Sequence, residues 1–567
     1  MAQKIIMPKQ GLQMTEGIIT AWLKQEGDFV TEGEPLFEME TDKLAITIAS
    51  TATGTLLKIL HPAEDVVPIT ETIAVVGEPG EDIRDLLGTC PGGGEAAPQA
   101  AAAADSAEPA YDVAVLGGGP GGYECAIRCA QYGLKTALIE ARELGGTCLN
   151  RGCIPTKALL QSAHTYQTVL AGKTYGIMAD GATFDYAAVA QFKNSVVKKL
   201  RSGVESLERA YGVQVFCGFG KLVDSHTIAI GAQQLTAKHI VLATGSAPAK
   251  LPIPGIDGPD ILTSDDVLEL TELPDSVVMI GGGVIGVEFA TLFAAFGKQV
   301  TIIEMMPRIL PGLDEELSHM VAQHLKKQGV RMITGAKVLS FSDQKPVEVQ
   351  YEIDGRREQV RAARCVVSIG RKPQTADLGL EQVGVATERG FVVVKENMET
   401  SVPGIYAIGA ITGKIQLAHV ATAQGMAAAA HCAGKSAPVS YHVVPACIYT
   451  EPEVAYVGLT EEQARQSGRK IRVGRFNVGT NGKAMIMGSH GMIKLIVDET
   501  TGEILGGHIY GPRATDLIGE IAAVMRCEGT VEELSATIHP HPSVSEIILE
   551  AAHDTEGLSC NAMPKKA

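Results

Sequence analysis

Two cysteines separated by four residues are the side chains of this chain with the clearest potential for chemistry. Cys148 and Cys153 lie in a segment that reads GGTCLNRGCIPTK from 145 to 157. Pro155 suits the first turn of a helix, and such a helix would place Cys153 at its positive end. A thiolate is stabilised there, so its pKa falls and the pair is suited to thiol–disulfide exchange. Two buried cysteines or a metal site are the alternatives, but a metal needs further ligands and the segment offers none.

The other cysteines do not form such a pair. The chain has eleven cysteines in 567 residues, and most of them lie in apolar surroundings, where we expect small buried side chains. Examples are Cys125, Cys129, Cys217 and Cys365. In a reducing compartment a closely spaced pair is more often catalytic than structural, which favours a redox role for the first pair.

A glycine-rich turn precedes the cysteines and follows a predicted strand over 111–116. Its glycines have the spacing GxGxxG and are Gly117, Gly119 and Gly122. We predict a helix from there to Gln131 and a second strand ending at Glu140. Such a turn lets the backbone approach a pyrophosphate at the positive end of the helix, and Glu140 can accept a hydrogen bond from a ribose hydroxyl. The pattern indicates a dinucleotide site.

The same pattern occurs a second time, after a predicted strand over 276–280. The glycines are Gly281, Gly283 and Gly286, and the second strand ends at Glu304. Two sites in one chain imply two dinucleotide cofactors. Glu304 favours a free ribose hydroxyl and would repel a 2′-phosphate, so the sequence predicts NAD rather than NADP.

Composition excludes several other classes of protein. The formal net charge of −17 leaves no basic footprint for nucleic acid. The amino end lacks the layout of a secretory signal, and no apolar run approaches the roughly 20 residues of a membrane helix. We therefore expect a cytoplasmic protein with no membrane span.

The elements that position these residues fall into several domains. Residues 1–79 show short apolar runs punctuated by Gly, Pro and Asp, which predicts an all-β unit, and they hold five lysines against twelve acidic residues. Residues 80–110 are rich in Ala, Gly and Pro and predict a flexible tether. An alanine helix over 100–104 is the alternative, which the surrounding Gly and Pro disfavour. Beyond the tether, strands alternate with helix-length stretches, as in parallel α/β domains, and the chain from 443 predicts an α+β domain with two or three helices.

The cysteine segment, the two glycine patterns and the run Ala243-Thr244-Gly245 resemble the pyridine nucleotide–disulfide oxidoreductases. The resemblance covers about residues 110–555, and it is strongest to the members that oxidise dihydrolipoyl groups. It implies that Cys148 is the exchange thiol facing the substrate and that Cys153 faces the flavin. Lys157 would lie under the flavin, paired with Glu288.

The resemblance also implies a domain order and further cofactor contacts. The expected order is an FAD-binding domain (111–262), an NAD-binding domain (263–385), a central FAD-binding segment (386–442) and a dimerisation domain (443–567) of a homodimer. The two dinucleotide-binding domains are expected to be doubly wound. Further cofactor-binding positions implied in this way are Thr244, Gly245, Gly370, Gly409, Ala410, Leu417, Ala418 and His419.

A histidine-rich segment near the carboxyl end reads HPHPSVSE from 539 to 546. In the family the second histidine, here His541, is the acid–base for substrate thiols and is oriented by Glu546, and it serves the partner subunit. A dithiol near pH 7 is mostly protonated and needs a base, which agrees with this role. Ser543 and Glu546 also have capping-box spacing for a helix that follows, so a purely structural role is the alternative.

One position departs from the family pattern. The flavin-contacting segment normally ends in Gly-Asp, in which Asp bonds the sugar-alcohol chain of the flavin, but here Gly409 is followed by Ala410. An alanine side chain cannot form that bond. The departure predicts weaker retention of FAD, although the later segment Leu417-Ala418-His419 fits the family.

The amino-terminal unit resembles lipoyl domains. Its segment 40–45 reads ETDKLA and is similar to their modification hairpin, with Lys43 at the tip as the lipoyl-lysine. Biotinyl domains share the fold but favour Met on both sides of the lysine, so Asp42 and Leu44 argue against biotin. An unmodified surface lysine is the remaining alternative.

Together the resemblances imply an enzyme that reoxidises dihydrolipoyl groups with FAD and a redox-active disulfide and reduces NAD. It would work with the acyltransferase and decarboxylating components of a 2-oxo acid or acetoin dehydrogenase complex. A mercuric reductase would end in a cysteine pair, whereas this tail has only Cys560, and a glutathione-type reductase would use NADP, against Glu304. A lipoyl carrier or assembly module with an inactive flavoprotein part is the alternative that Ala410 favours.

Overall fold

The computed structural model describes residues 2–8, 16–40, 45–63, 65–69, 71–79, 81, 109–179, 181–342 and 344–563. The chain forms two compact units, Met1–Ala101 and Ala102–Ala567. Lys43 and most of the predicted tether lie outside the described residues.

The amino-terminal unit consists of two four-stranded sheets in the orders β1-β8-β6-β3 and β5-β4-β2-β7. The strands are β1 (Gln3–Ile6), β2 (Glu16–Trp22), β3 (Phe29–Val30), β4 (Pro35–Glu40), β5 (Ala45–Ala49), β6 (Gly54–Ile59), β7 (Val66–Pro68) and β8 (Thr72–Gly77). Inward-facing residues such as Leu36, Phe37 and Val76 close the core between the sheets. Strands β4 and β5 pair antiparallel with Glu40 opposite Ala45, so they are the two arms on either side of the predicted modification segment. The all-β expectation is confirmed.

The first sheet of the large unit is parallel over five strands in the order β11-β10-β9-β14-β27, and β12 and β13 extend it antiparallel at β14. Its strands are β9 (Tyr111–Leu116), β10 (Thr136–Glu140), β11 (Gln214–Cys217), β12 (Gly220–Leu222), β13 (Thr227–Ile230), β14 (Gln233–Leu242) and β27 (Ile405–Ala407). Its helices are α1 (Pro120–Gln131), α2 (Gly146–Arg151), α3 (Cys153–Leu170) and α4 (Tyr186–Ala210), and a 3-10 turn covers Gly172–Tyr175.

The second sheet is parallel throughout, in the order β16-β23-β17-β18-β19, with a three-stranded antiparallel layer β20-β21-β22 beside it. Its elements are β16 (Ile261–Leu262), α5 (Ser264–Leu268), β17 (Ser276–Ile280), α6 (Val284–Ala295), β18 (Gln299–Glu304), α7 (Glu315–Lys327), β19 (Arg331–Thr334), β20 (Lys337–Phe341), β21 (Val347–Ile353), β22 (Arg356–Ala362) and β23 (Arg364–Val367). Helix α6 is apolar on nearly every side because it packs between this sheet and α3. Both parallel sheets confirm the α/β prediction.

Short elements and one long helix connect the two sheets. They are β15 (Ser246–Pro248), β24 (Arg371–Pro373), α8 (Leu380–Val383), β25 (Thr387–Glu388), β26 (Phe391–Val392), a 3-10 turn at Gly409–Thr412 and α9 (Ala418–Cys432). Helix α9 crosses α1 at two glycines: a Cβ on Gly121 would lie 2.8 Å from the Ala421 oxygen, and one on Gly425 would lie 2.5 Å from the Gly121 oxygen. The absence of these two side chains brings the helices together.

The carboxyl-terminal domain is a five-stranded antiparallel sheet in the order β28-β29-β32-β31-β30. Its strands are β28 (Ala446–Ile448), β29 (Glu453–Gly458), β30 (Ile471–Asn477), β31 (Met492–Asp498) and β32 (Ile504–Gly511), and its helices are α10 (Glu461–Gln466), α11 (Gly482–Ile486), α12 (Ala514–Arg526), α13 (Val531–Ala536) and α14 (Glu546–Asp554), with a 3-10 turn at Val478–Thr480. The α+β prediction is confirmed, but the described part of this domain has five helices rather than two or three. Three of them are six residues or shorter, too short to show a helical period in the sequence.

The buried-cysteine prediction is right at three positions and wrong at one. Cys125, Cys129 and Cys365 are fully buried. Cys217 is exposed because it ends β11, the edge strand of the first sheet.

Candidate active site

The two cysteines of the 145–157 segment lie on consecutive helices. Cys148 is within α2, and Cys153 is the first residue of α3, as its neighbouring proline indicates. Gly145 and Gly146 have φ values of 92° and 55°, and a Cβ on Gly146 would lie 2.6 Å from the Cα of Gly119. These glycines therefore allow the cysteine segment to rest directly on the first GxGxxG turn.

The two thiols are hydrogen-bonded to each other, and this hydrogen bond shifts their pKa values in opposite directions. The hydrogen bond from Cys148 lowers the pKa of Cys153 to about 7, burial opposes this effect, and the Lys157 ammonium lowers the pKa further. The same bond, together with burial, raises the pKa of Cys148. Cys153 is thus the more acidic of the two thiols.

A buried carboxylate anchors the lysine beside Cys153. The Nζ atom of Lys157 donates to Oε1 and Oε2 of Glu288 at 3.0 and 2.9 Å. Glu288 lies on α6, two residues after the last glycine of the second GxGxxG pattern, and is buried. The ion pair therefore joins the first parallel domain to the second at the cysteine pair.

The two GxGxxG turns have the same geometry. Gly117 and Gly281 have φ values of 111° and 104°, which favour glycine. A Cβ on Gly122 would clash with the Gly117 oxygen, and one on Gly286 would clash with the Gly281 oxygen, so the last glycine lets each helix approach its turn.

The middle glycine of each turn is where a pyrophosphate would lie. A Cβ on Gly283 would meet nothing within 4 Å, and one on Gly119 would meet only the Gly146 Cα, at 3.9 Å. Neither α1 nor α6 has a side-chain cap, so the first N–H groups of both helices are available. Both turns thus fit the phosphates of a dinucleotide.

The acidic residue that ends each second strand makes the same two contacts. Glu140 accepts the Gly118 and Arg142 N–H groups, both at 2.7 Å. Glu304 accepts the Gly282 N–H at 2.6 Å and the Met306 N–H at 2.7 Å. Both carboxylates are fixed beside the glycine turn, in position for a ribose hydroxyl.

The chain crosses between the two parallel domains at Thr244, Gly245 and Gly370. The Thr244 hydroxyl donates to the Gln374 oxygen at 2.7 Å, and the Gln374 N–H donates to the Gly245 oxygen at 3.0 Å. Gly370 has a φ of 115°, and a Cβ there would meet nothing within 4 Å. These three residues therefore lie at one crossover next to the site.

The segment around Ala410 sits at the start of α9. The Gly409 N–H donates to Gln424 Oε1 at 2.6 Å, and Gly409 has a φ of 75°. Leu417 is the N-cap residue of α9 and makes no side-chain cap, so the N–H groups of Ala418 and His419 point out of the helix end. His419 Nε2 lies 2.9 Å from the Pro445 oxygen. Ala410 offers no polar side-chain atom at this point.

The histidine predicted as acid–base pairs with the predicted carboxylate. His541 Nδ1 lies 2.9 Å from Glu546 Oε1, and its side chain is 79% exposed. Among the described residues, His541 makes no hydrogen bond or ion pair with the cysteine segment. The structure thus brings His541 and Glu546 together without joining them to the cysteines of the same chain.

Two residues near the cysteines were not identified from the sequence. Arg371 donates to Ser246 Oγ at 2.9 Å and to the Ser246 oxygen at 2.7 Å, and it lies 3.4 Å from Thr147 Oγ1, next to Cys148. Burial lowers the pKa of its guanidinium. The ring of Tyr449 faces the Lys157 ammonium at 4.5 Å. The sequence signal for Arg371 was its position as a polar residue directly after Gly370. No sequence signal indicated Tyr449.

Among the described residues, no helix is both long and apolar enough to cross a membrane.

Three family models match the chain. Residues 111–425 match the pyridine nucleotide-disulphide oxidoreductase family, and residues 444–552 match the dimerisation domain of that family. Residues 3–76 match the family described as biotin-requiring enzyme, whose model covers biotinyl and lipoyl domains. The chain belongs to the pyridine nucleotide-disulphide oxidoreductases, and an amino-terminal lipoyl domain precedes the enzyme domains.

Within that family, many curated relatives of the chain are named dihydrolipoyl dehydrogenase. The enzyme of that name from Bacillus subtilis is 42% identical over 465 residues, which are 79% of this chain and 98% of the relative. The one from Geobacillus stearothermophilus is 40% identical over 458 residues, covering 80% and 97% of the two chains.

Solved structures agree with the sequence relatives. LpdA from Mycobacterium tuberculosis is 30% identical with a TM-score of 0.73, covering 78% of this chain and 99% of that chain. The HOCl-induced flavoprotein disulfide reductase RclA from Escherichia coli is 31% identical with a TM-score of 0.71, covering 78% and 99%. These findings confirm the predicted family, fold class and enzyme class.

Proposed function

We propose that this chain is a dihydrolipoyl dehydrogenase that oxidises dihydrolipoyl groups and reduces NAD. The observation that carries the proposal is the Cys148–Cys153 pair at the start of α3, resting on the first GxGxxG turn. Relatives of that name at about 40% identity over most of the chain support it.

The two dinucleotide sites take different cofactors in this proposal. Residues of the first parallel domain, with Lys157, Gly409 and the start of α9, would hold FAD. Residues around Gly281, Glu288 and Glu304 would hold NAD. When bound, FAD supplies a two-electron acceptor beside Cys153, and NAD supplies the final hydride acceptor.

The chemistry of the protein residues is a thiol–disulfide exchange. A substrate thiolate attacks Sγ of Cys148 in the Cys148–Cys153 disulfide, that S–S bond breaks, and Cys153 leaves as a thiolate. The second substrate thiol then attacks the substrate sulfur bound to Cys148 and releases the Cys148 thiol. The substrate dithiol loses two electrons and becomes a cyclic disulfide, and the enzyme disulfide gains them. The low pKa of Cys153, about 7, makes it the better leaving thiolate in the first step.

His541 is the proposed base for the substrate thiols, with Glu546 as its orienting carboxylate. The exposure of His541 and its separation from the cysteines in one chain suit an active site shared between two subunits. The matched dimerisation domain supports a homodimer in which each His541 completes the site of the other subunit.

We also propose that Lys43 carries a lipoyl group. Strands β4 and β5, which flank the segment that holds Lys43, pair antiparallel with Glu40 opposite Ala45, and this pairing supports the proposal. The proposed division of the chain remains a lipoyl domain over 1–79, a tether over 80–110, then FAD (111–262), NAD (263–385), central (386–442) and dimerisation (443–567) domains. The lipoyl domain supports partnership with the acyltransferase and decarboxylating components of a 2-oxo acid or acetoin dehydrogenase complex. A location in the cytoplasm belongs to the same proposal, because a reducing compartment favours a catalytic role for a closely spaced pair such as Cys148 and Cys153.

The test is steady-state NADH formation by the FAD-loaded protein with dihydrolipoamide as substrate. We expect turnover with dihydrolipoamide and NAD, and no comparable rate when glutathione disulfide or mercuric ion is offered with NADPH. Turnover with either of the latter and none with dihydrolipoamide would replace the proposal with a related reductase. Intact mass after incubation with a lipoate ligase tests Lys43, because Lys43→Arg should not gain the lipoyl group.

A further inference from the structure

Tyr449 belongs to the dimerisation domain but contacts the ion pair of the parallel domains. It follows strand β28 directly, and its ring centroid lies 4.5 Å from the Lys157 ammonium. Its backbone N–H donates to Glu288 Oε1 at 2.9 Å. One residue therefore touches both members of the Lys157–Glu288 pair, through the ring on one side and through the backbone on the other.

The lysine needs such a contact to stay in place. Its side chain has four rotatable bonds, and ordering it costs conformational free energy that a single ion pair must offset. Glu288 is buried and fixed by the Tyr449 N–H, but the Lys157 side chain is about one-third exposed, so its ammonium has access to water. An aromatic face attracts the ammonium through its quadrupole and excludes water from that side.

We propose that Tyr449 is a positioning residue for the redox centre, whose ring holds the Lys157 ammonium against Glu288 and beside Cys153. This inference rests on the proposed function. The ring rather than the hydroxyl is the acting group, because in the described part of the chain the Tyr449 hydroxyl makes no hydrogen bond. The charge of Lys157 helps to stabilise the Cys153 thiolate, so a displaced ammonium weakens that stabilisation.

The sharpest readout is the titration of Cys153 itself. In the FAD-loaded Cys148→Ser protein, the long-wavelength absorbance of the Cys153 thiolate against the flavin reports the fraction of thiolate at each pH. Serine keeps a hydrogen-bond donor at position 148. Tyr449→Phe keeps the aromatic ring and serves as the matched control. Tyr449→Leu and Tyr449→Met are two independent variants that lack the ring.

We expect the titration midpoint to be unchanged in Tyr449→Phe and to rise by about half to one pH unit in the Leu and Met variants. In a Lys157→Met background, removing the ring should shift the midpoint no further, because the cation on which the ring acts is absent. An unchanged midpoint in both ring-less variants with normal FAD content would overturn the inference. So would an equal shift in Tyr449→Phe, or a further shift in the Lys157→Met background.

This readout separates the inference from the proposed function. The thiolate titration needs no dihydrolipoyl substrate and no NAD, so it can fail while dihydrolipoamide oxidation by the parent enzyme is intact. If the Cys148→Ser proteins titrate as expected but the parent enzyme does not oxidise dihydrolipoamide, the result would instead count against the proposed function alone.

Discussion

His541 and Glu546 share a hydrogen bond of 2.9 Å, and the other oxygen of the same carboxylate accepts the Ser543 N–H at 3.0 Å. The carboxylate therefore binds the Ser543 N–H and orients the histidine, but it does not form the predicted capping box, because the helix begins at Glu546 with Ser545 as its N-cap and has no side-chain cap. Burial acts to raise the pKa of Glu546, but the hydrogen bonds from Ser543 and His541 outweigh it and lower the pKa. Glu546 is thus a charged partner of His541 at neutral pH.

Glu546→Gln should lower kcat/KM for dihydrolipoamide by about ten- to a hundredfold, because a neutral amide orients the imidazole but stabilises its cation less. The amide oxygen can still accept the Ser543 N–H, so the melting temperature should change little. The matched control is Glu520→Gln, which removes the charge beside His539 instead, at 2.9 Å. Equal losses in the two variants would show that the effect is structural and not specific to His541.

The carboxylate of Glu304 should determine whether the enzyme prefers NAD or NADP. It lies beside the second glycine turn, where a 2′-phosphate would meet like charge. We expect kcat/KM with NAD to exceed kcat/KM with NADP by at least about a hundredfold in the parent enzyme. In Glu304→Gln the ratio of these two values should be smaller. Glu140→Gln is the equivalent change at the first turn and should weaken FAD retention while leaving the nucleotide ratio unchanged. Equal use of NAD and NADP by the parent enzyme would assign the preference to another residue.

Ala410 provides a test of flavin retention. If FAD lacks one bond to its sugar-alcohol chain, Ala410→Asp should slow the loss of FAD in mild denaturant by about tenfold or more, since a charge-assisted hydrogen bond contributes about 1.5–3 kcal/mol. Ala410→Asn offers the same shape without the charge and should have the smaller effect. Identical release rates in the parent and both variants would show that another group already makes this bond.

The buried carboxyl group of Glu208 should contribute a pH dependence to the stability of the protein. This residue of α4 is 0% exposed, and neither carboxylate oxygen has a hydrogen-bond partner in the described part of the chain. Burial raises its pKa to about 8, above the unfolded value of about 4.3, so the folded state holds the proton more tightly. The contribution of Glu208 to the free energy of unfolding should therefore be greatest below the unfolded pKa and should fall between about pH 4.3 and 8, by at most roughly 5 kcal/mol.

Glu208→Gln should remove that fall, which denaturant unfolding of the FAD-loaded protein at pH 5, 7 and 9 would measure. Glu205 lies three residues earlier on the same helix and is exposed, so Glu205→Gln should leave the pH dependence as it is in the parent. The same pH dependence in the parent and in Glu208→Gln would contradict the prediction.

The sequence predicts the parts of the site that local constraints define. The glycine spacing, the strand ends at Glu140 and Glu304 and the helix start at Cys153 are all local features, and the structure has them where the sequence predicts them. Tyr449 could not be found in this way, because its contact with Lys157 joins residues far apart in the chain. Its position depends on how the antiparallel sheet packs against α3 and α6.

The carboxyl-terminal helices show a second limit. Thr460 and Thr530 are the N-cap residues of two short helices, and each forms a complete capping box. Apolar periodicity cannot be recognised over five or six residues, so the capping box is the sequence signal that indicates these helices. Lys43 lies outside the described residues, so its place and its modification remain predictions.

The most direct test of the account follows the cysteines through the half-reaction in which the substrate reduces the enzyme. The oxidised, FAD-loaded enzyme would be mixed anaerobically with one equivalent of dihydrolipoamide without NAD, and its cysteines would be identified by differential alkylation and peptide mass spectrometry. We predict a Cys148–Cys153 disulfide before mixing and two alkylated thiols at these positions afterwards. Cys148→Ser and Cys153→Ser should each be unable to oxidise the substrate while retaining FAD. A pair that stays oxidised while dihydrolipoamide is consumed, or normal turnover in either serine variant, would contradict the account.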